Sequence, residues 1–146
     1  MNILMRQAIA FRQVFNQEMQ EGMVQCGFVK ERIFDMQVRL IEEETHEFIQ
    51  ACNELKRHPN DPRCHFEVLK ELCDIVFVCF QFAACYGLGL DQAMERVYES
   101  NMSKLDDDGK PMYRSDGKVL KGPNYEPPKL DDLVPLGTIQ YDTTGK

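Results

Sequence analysis

Between Ile75 and Tyr86 the chain is apolar at every position except Gln81, and the run is closed by Gly87-Leu88-Gly89. A helix with that pattern has no face to offer water, so it is expected to be buried all round, and the rest of the fold has to cover it. The surrounding periodicity predicts the cover. A first helix over residues 3 to 20 carries Ile3, Leu4, Ala8, Phe11, Phe15 and Met19 near the helical period, with Gly22 and Gly27 bracketing its end. A second, from about 29 to 56, keeps Ile33, Met36, Leu40, Ile41, Phe48, Ile49, Cys52 and Leu55 on one side. It stops at Arg57-His58-Pro59-Asn60-Asp61-Pro62, because prolines cannot continue a helix and their polar neighbours favour a surface connection. The third helix, about 64 to 86, contains the apolar run. Asp91 reads as the N-cap of a short fourth helix with Ala93, Met94, Val97 and Tyr98. Four helices joined by short connections imply an all-α fold, a four-helix bundle.

From Leu105 onward the pattern changes. Asp108-Gly109 and Asp116-Gly117 are turn dipeptides, and Met112-Tyr113-Arg114 faces Lys118-Val119-Leu120 across the second, which predicts a small β-hairpin within 105–122. Pro123, Pro127, Pro128 and Pro135 then mark an extended arm. The expected organisation is one domain over 1–130, hairpin included, followed by an extended tail over 131–146. At 146 residues, one domain is also what the length supports.

A net charge of -7 opposes a surface that grips nucleic acid throughout, so no nucleic-acid partner is expected. No apolar stretch reaches the roughly 18 residues of a membrane span, and no signal peptide is evident, so no membrane is expected and the setting is read as cytoplasmic. Cys52, Cys73, Cys79 and Cys85 fall inside apolar helical patterns and are expected as small buried hydrophobes. Without a C-x-x-C pair, a structural zinc site is not expected.

The acidic residues carry the chemistry. In Glu42-Glu43-Glu44-Thr45-His46-Glu47, Glu44 and Glu47 are three residues apart and share a helix face. The inward stripe runs through 37, 40, 41, 48, 51, 52 and 55, and the turn that completes it is occupied by these two carboxylates. Lys70-Glu71-Leu72-Cys73-Asp74 repeats the device with Glu71 and Asp74. Buried ionised carboxylates cost several kcal/mol apiece unless a counter-charge is supplied. If the second and third helices pack antiparallel, both pairs converge, and all-oxygen ligation selects Mg²⁺, with Mn²⁺ as the substitute, over zinc. Three alternatives compete with this. Glu42, Glu43, Glu44 and Glu47 could form a solvated acidic face, with Glu71 paired to Lys70. Glu43-x-x-His46 has the spacing of a di-iron carboxylate bundle, although neither His58 nor His65 completes a second such pair. A non-catalytic acidic helical interaction module is the third.

Taken together, Arg39-Leu40-Ile41-Glu42-Glu43-Glu44-Thr45-His46-Glu47-Phe48 and Lys70-Glu71-Leu72-Cys73-Asp74-Ile75-Val76-Phe77 resemble the all-α NTP pyrophosphatases. That superfamily contains MazG, the dimeric dUTPases, the dCTP pyrophosphatases and phosphoribosyl-ATP pyrophosphohydrolase. Its signature is E-x-x-E followed by E-x-x-D, here with 23 residues between Glu47 and Glu71. Tyr86-Gly87-Leu88, Asn101-Met102-Ser103-Lys104 and Pro123-Asn124-Tyr125-Glu126-Pro127-Pro128 look like later segments of phosphoribosyl-ATP pyrophosphohydrolase-like members, so the likeness covers about residues 5 to 130. It implies a MazG-like bundle in which Glu44, Glu47, Glu71 and Asp74 bind Mg²⁺ and one of them helps to activate water. It also implies that Asn101 and Lys104 touch a triphosphate and that an NTP, a dNTP or phosphoribosyl-ATP is cleaved to a monophosphate and pyrophosphate. The long region after Lys104 departs from the smallest members.

No P-loop is present, so phosphates have to be held by metal and side chains. Lys104, Lys110, Arg114, Lys118 and Lys121 supply cations, and Lys104 and Lys121 are the candidates for phosphate contact. The third helix has few neighbours for so apolar a surface, which predicts a homodimer or a dimer of dimers.

Overall fold

A computed structural model of the chain describes residues 1–19 and 31–134. Gly22, Gly27, the start of the second predicted helix and the tail from Pro135 to Lys146 lie outside the described residues. The chain divides into two compact units, Met1–Leu88 and Gly89–Lys146. Among the described residues the structure is all-α, with four α-helices.

The first unit holds α1 (Ile3–Val14), α2 (Glu31–Arg57) and α3 (Pro62–Tyr86). α3 starts where the sequence changes from breaker to helix former. Asp61 caps it by accepting the Arg63 amide at 2.9 Å, and Pro62 occupies the first turn, where its missing N–H costs nothing. Its end is set by Gly87, whose left-handed φ of 66° suits a residue without Cβ. α3 packs on both α1 and α2. Phe34, early in α2, stacks on Phe82 and Tyr86, late in α3, while Glu47 meets Glu71 nearer the middle, so the two helices run antiparallel.

The core is built around the second half of α3: Val78, Phe80, Ala83, Ala84, Cys85 and Tyr86, with Met5 and Ala8 of α1. Gln81, the polar interruption in the apolar run, joins α1 to α3. Its amide donates to the Ala8 carbonyl at 3.2 Å, and its oxygen accepts from buried Arg12 at 3.4 Å. Arg12 also donates twice to the Glu18 carbonyl, at 2.9 and 2.6 Å.

Several expectations need correction. The first helix ends at Val14 rather than near 20. Asn16 adopts a left-handed φ of 52°, and the Gln17 amide closes onto the Arg12 carbonyl at 2.8 Å, a pattern that stops a helix. The apolar run of α3 is not buried all round, since Val76 and Phe77 are each 39% exposed. Ahead of the run, Phe66 is 65% and Leu69 62% exposed. Of the four cysteines expected inside, Cys85 is buried, Cys52 and Cys79 are half-buried, and Cys73 is exposed, because it lies on the same open side of α3.

In the second unit α4 spans Leu90–Met102, and its N-cap is Gly89 rather than Asp91, which sits buried in the first turn. The arm from Gly122 runs without regular structure to a 3-10 turn at Asp131–Leu133. Ser100 Oγ donates to the Glu126 carbonyl at 2.7 Å, the Glu126 amide donates to Ser103 Oγ at 2.9 Å, and the Arg96 guanidinium grips Asp132 and the Lys129 carbonyl.

The predicted hairpin does not form as strands. Tyr113 and Val119 make one isolated antiparallel bridge around the Gly117 turn, and no strand is present among the described residues. The reason is packing. Met112, Tyr113, Val119 and Leu120 are all exposed, and a two-stranded ladder that buries no apolar face is marginal in water.

Candidate metal centre

α2 and α3 bring three of the four predicted carboxylates together. One oxygen from each of Glu44, Glu47 and Glu71 lies within 4.8 Å of the others. Glu47 is exposed, Glu44 half-buried, and Glu71 only 7% exposed. Glu71 Oε1 accepts from Lys70 Nζ at 2.9 Å, and its Oε2 is buried without a hydrogen-bond partner. An unsatisfied buried carboxylate oxygen beside two further carboxylates is costly as it stands. A hard divalent cation removes that cost, so the donor set fits Mg²⁺ or a similar ion.

The electrostatics agree. Burial raises the Glu44 pKa above its ordinary 4.5, and the negative charges of Asp74, Glu47 and Glu71 push it the same way, with Lys70 offsetting only part of the rise. The crowding is therefore not neutralised from within.

Asp74 is not one of the three whose oxygens lie within 4.8 Å of one another, yet its charge is the largest of the acidic charges acting on Glu44. Its Oδ2 is paired with Lys70 Nζ at 3.0 Å, and its side chain borders a different cavity. Lys70 thus realises the expected pairing with Glu71 and extends it to Asp74, and both hydrogen bonds push its own pKa upward. The trio forms alongside that pairing.

Two cavities flank α3. On the α2 side a groove of about 760 Å³ runs from Glu47 and Glu71 to His58 and Arg63, with Glu54 and Glu67 between. On the α1 side a cleft of about 420 Å³ is walled by Leu4, Leu72, Val76, Phe77 and Phe80, with Asp74 and Gln7 as its polar members. Phe11 packs against Phe15 and Phe77 at centroid distances of 4.4 and 5.2 Å. His46, the histidine of the di-iron alternative, is exposed, and its Nε2 lies 3.1 Å from the Gln50 amide nitrogen.

The other predicted site residues belong to the second unit. Asn101 Oδ1 accepts from Lys104 Nζ at 2.7 Å. Lys121 Nζ lies 4.5 Å from the centre of the Tyr125 ring. The Gly122 amide donates to the Lys104 carbonyl at 3.0 Å, which brings the three positions onto one patch.

Sequence reading missed Arg12, buried at 1% exposure, while Gln37, on the inward stripe read from the sequence, is buried at 2%. Both occupy inward helical positions, and that register was the available signal.

A family model described as phosphoribosyl-ATP pyrophosphohydrolase matches residues 8–101, well over half of the chain and the whole of the carboxylate motif. A search of curated proteins returns no match. The chain belongs to the phosphoribosyl-ATP pyrophosphohydrolase family, within the MazG-like all-α NTP pyrophosphatases: hydrolases that cleave a phosphoric anhydride of a nucleotide and generally depend on a divalent metal.

Proposed function

We propose that this protein is a Mg²⁺-dependent pyrophosphohydrolase that cleaves the α–β anhydride of an NTP, a dNTP or phosphoribosyl-ATP, releasing a monophosphate and pyrophosphate. The observation that carries the reading is the Glu44, Glu47 and Glu71 trio, with its buried, unpartnered Glu71 oxygen. Those three residues would hold the ion, and Asp74 adds a fourth negative charge to the same neighbourhood. When bound, the ion supplies the positive charge on which a polyphosphate can dock and be polarised toward attack.

The chain's own residues do the rest. Glu44 is a candidate proton acceptor for the attacking water, since burial raises its pKa and favours proton uptake. The apolar cleft bordering Asp74 has the size and lining to take a nucleobase, and it opens from α3, the helix that carries Glu71 and Asp74. Asn101, Lys104 and Lys121 are the candidate phosphate contacts, supported by their shared patch.

A second copy of the chain is part of this reading. The exposed Phe66, Leu69, Leu72 and Val76 lie on one side of α3, a larger apolar stripe than a monomeric helix ordinarily leaves open. A homodimer or a dimer of dimers covers it, in the cytoplasm where nucleotides and Mg²⁺ meet.

The test is direct: purified protein is incubated with Mg²⁺ and a panel of NTPs, dNTPs and phosphoribosyl-ATP, and pyrophosphate is measured. Release from at least one substrate, abolished by EDTA, is expected. No release from any of them overturns the proposal.

A further inference from the structure

Leu4, Gln7 and Phe11 are spaced three and four residues apart, so they lie in one line along α1. Leu4 walls the apolar cleft between α1 and α3, and Phe11 packs edge-on against Phe77, another of its walls, at 5.2 Å. Gln7 borders the same cleft between them, where an apolar side chain would simply extend the wall.

The state of its amide separates Gln7 from the glutamine of the core. Gln81 has both ends of its amide engaged, by the Ala8 carbonyl and by Arg12. Gln7 is exposed, and no hydrogen bond engages it among the described residues. Asp74, the other polar side chain on the cleft, is held by Lys70. The free amide is thus the hydrogen-bonding group that the cleft offers to whatever enters it.

A carboxamide presents a donor and an acceptor side by side, which matches the edge of a nucleobase. A site that reads one base against another also needs that amide locked, by packing or by a further hydrogen bond, so that donor and acceptor keep their places. Without the lock the amide turns over about its last bond and exchanges them.

We infer that Gln7 is the base-contacting residue of the cleft, and that its unlocked amide pairs with amino and oxo edges alike. This rests on the reading above, in which a nucleotide is cleaved and its base enters this cleft. Leu4, Leu72, Val76 and Phe77 then select a flat ring by shape, and the substrate class is nucleotides of either edge polarity. Cytosine and uracil make the sharpest comparison, because the two rings have one size and opposite edges.

The experiment is steady-state kinetics of the full chain with Mg²⁺ on the cytosine and uracil nucleoside triphosphates, with ribose 5-triphosphate, which lacks a base, as substrate or competitive inhibitor. In the wild type kcat/KM for the two bases is expected to agree within about 100-fold, whereas a locked reader separates such edges by about 10⁴-fold or more. Gln7→Met keeps the length and removes both hydrogen bonds, so kcat/KM should fall about tenfold for both bases, through KM. Ribose 5-triphosphate should not register the substitution. A cytosine to uracil ratio beyond about 100-fold, turnover of phosphoribosyl-ATP alone, or a Gln7→Met that handles both bases as the wild type does would each overturn the inference and leave the hydrolase reading standing. An equal loss on ribose 5-triphosphate would also overturn it, by giving Gln7 a merely structural role. If no nucleotide is cleaved, both readings fall. Should Gln7→Met not fold, the wild-type ratio decides the question alone.

Discussion

The carboxylates between α2 and α3 and two of those in the second unit are treated in opposite ways. In the second unit two acids each have their own guanidinium: Asp116 is paired with Arg114 and Asp132 with Arg96, and both carboxyl groups are held below the usual range by those hydrogen bonds. In the first unit Glu44, Glu47 and Glu71 are drawn together while a single lysine serves Glu71 and Asp74, and the Glu44 pKa rises. Acidity is common to both regions and marks neither as a site. Crowding that a single lysine offsets only in part is what distinguishes the α2 and α3 carboxylates, and it implies a counter-charge from outside the chain.

The largest expected effect follows from breaking that crowding. Glu71→Gln keeps the shape and removes the charge of the most buried member, so pyrophosphate release should fall more than about 100-fold, beyond what loss of an outer partner costs. Melting of the metal-free protein should hold or rise, because repulsion is relieved. Near-normal turnover in the variant would return these carboxylates to the solvated acidic face weighed from the sequence. Binding of the ion is the complementary measurement. At an Mg²⁺ concentration 100 times its Kd, the wild type should gain about 2.7 kcal/mol, read as a rise in melting temperature, and Glu71→Gln should gain little. An equal rise in both proteins would place the ion elsewhere.

Much of the first unit was legible because periodicity reports burial directly. The proline break at Pro59 and Pro62, the Gly87 stop and the two acidic pairs all describe local chain chemistry, and local chemistry decides them. What was not legible depends on partners distant in sequence. Nothing near Arg12 announces that Gln81 and the Glu18 carbonyl will receive its guanidinium in the core. The open side of α3 at Phe66 and Leu69 cannot be told from a buried one by periodicity, since both are apolar. Lys70 was visible as a neighbour of Glu71, but its hold on Asp74 required the side-chain path. The hairpin was predicted from turn chemistry that is present, and it lacks the packed face that would turn one bridge into strands.

The second unit offers a control of middling size. At Gly122 an added Cβ would come within 2.5 Å of the Lys104 carbonyl oxygen, a backbone atom with little room to yield. Gly122→Ala should therefore destabilise the arm by about 1–3 kcal/mol, the usual range for overpacking, measured as loss of amide protection around Tyr125. The Mg²⁺-dependent stabilisation of the first unit should persist. If it vanished with the arm, the ion's hold would depend on both units, and the contrast drawn between them would fail.

Acid titration of the metal-free protein sharpens the contrast with the smallest effects, because Glu44 and Asp132 should respond with opposite sign. The folded-state pKa of Glu44 is raised above 4.5, so its contribution to stability is fully present below that value and is lost as pH rises through the folded pKa. Lowering the pH from neutral toward 4.5 should thus relieve the first unit, and Glu44→Gln should flatten that gain. Asp132 is lowered from 3.8 by Arg96, so its contribution is present above 3.8 and is lost as pH falls through its folded pKa. Protection of the arm against exchange should hold down to about pH 3.8 and decline below it, and Asp132→Asn should remove the decline. Both groups are solvent-accessible, so the sign of each slope carries the information and its size is modest. If the Glu44-dependent slope instead ran downward on acidification, a counter-charge for the trio would already exist within the chain, and the argument for an external cation would lose its electrostatic basis.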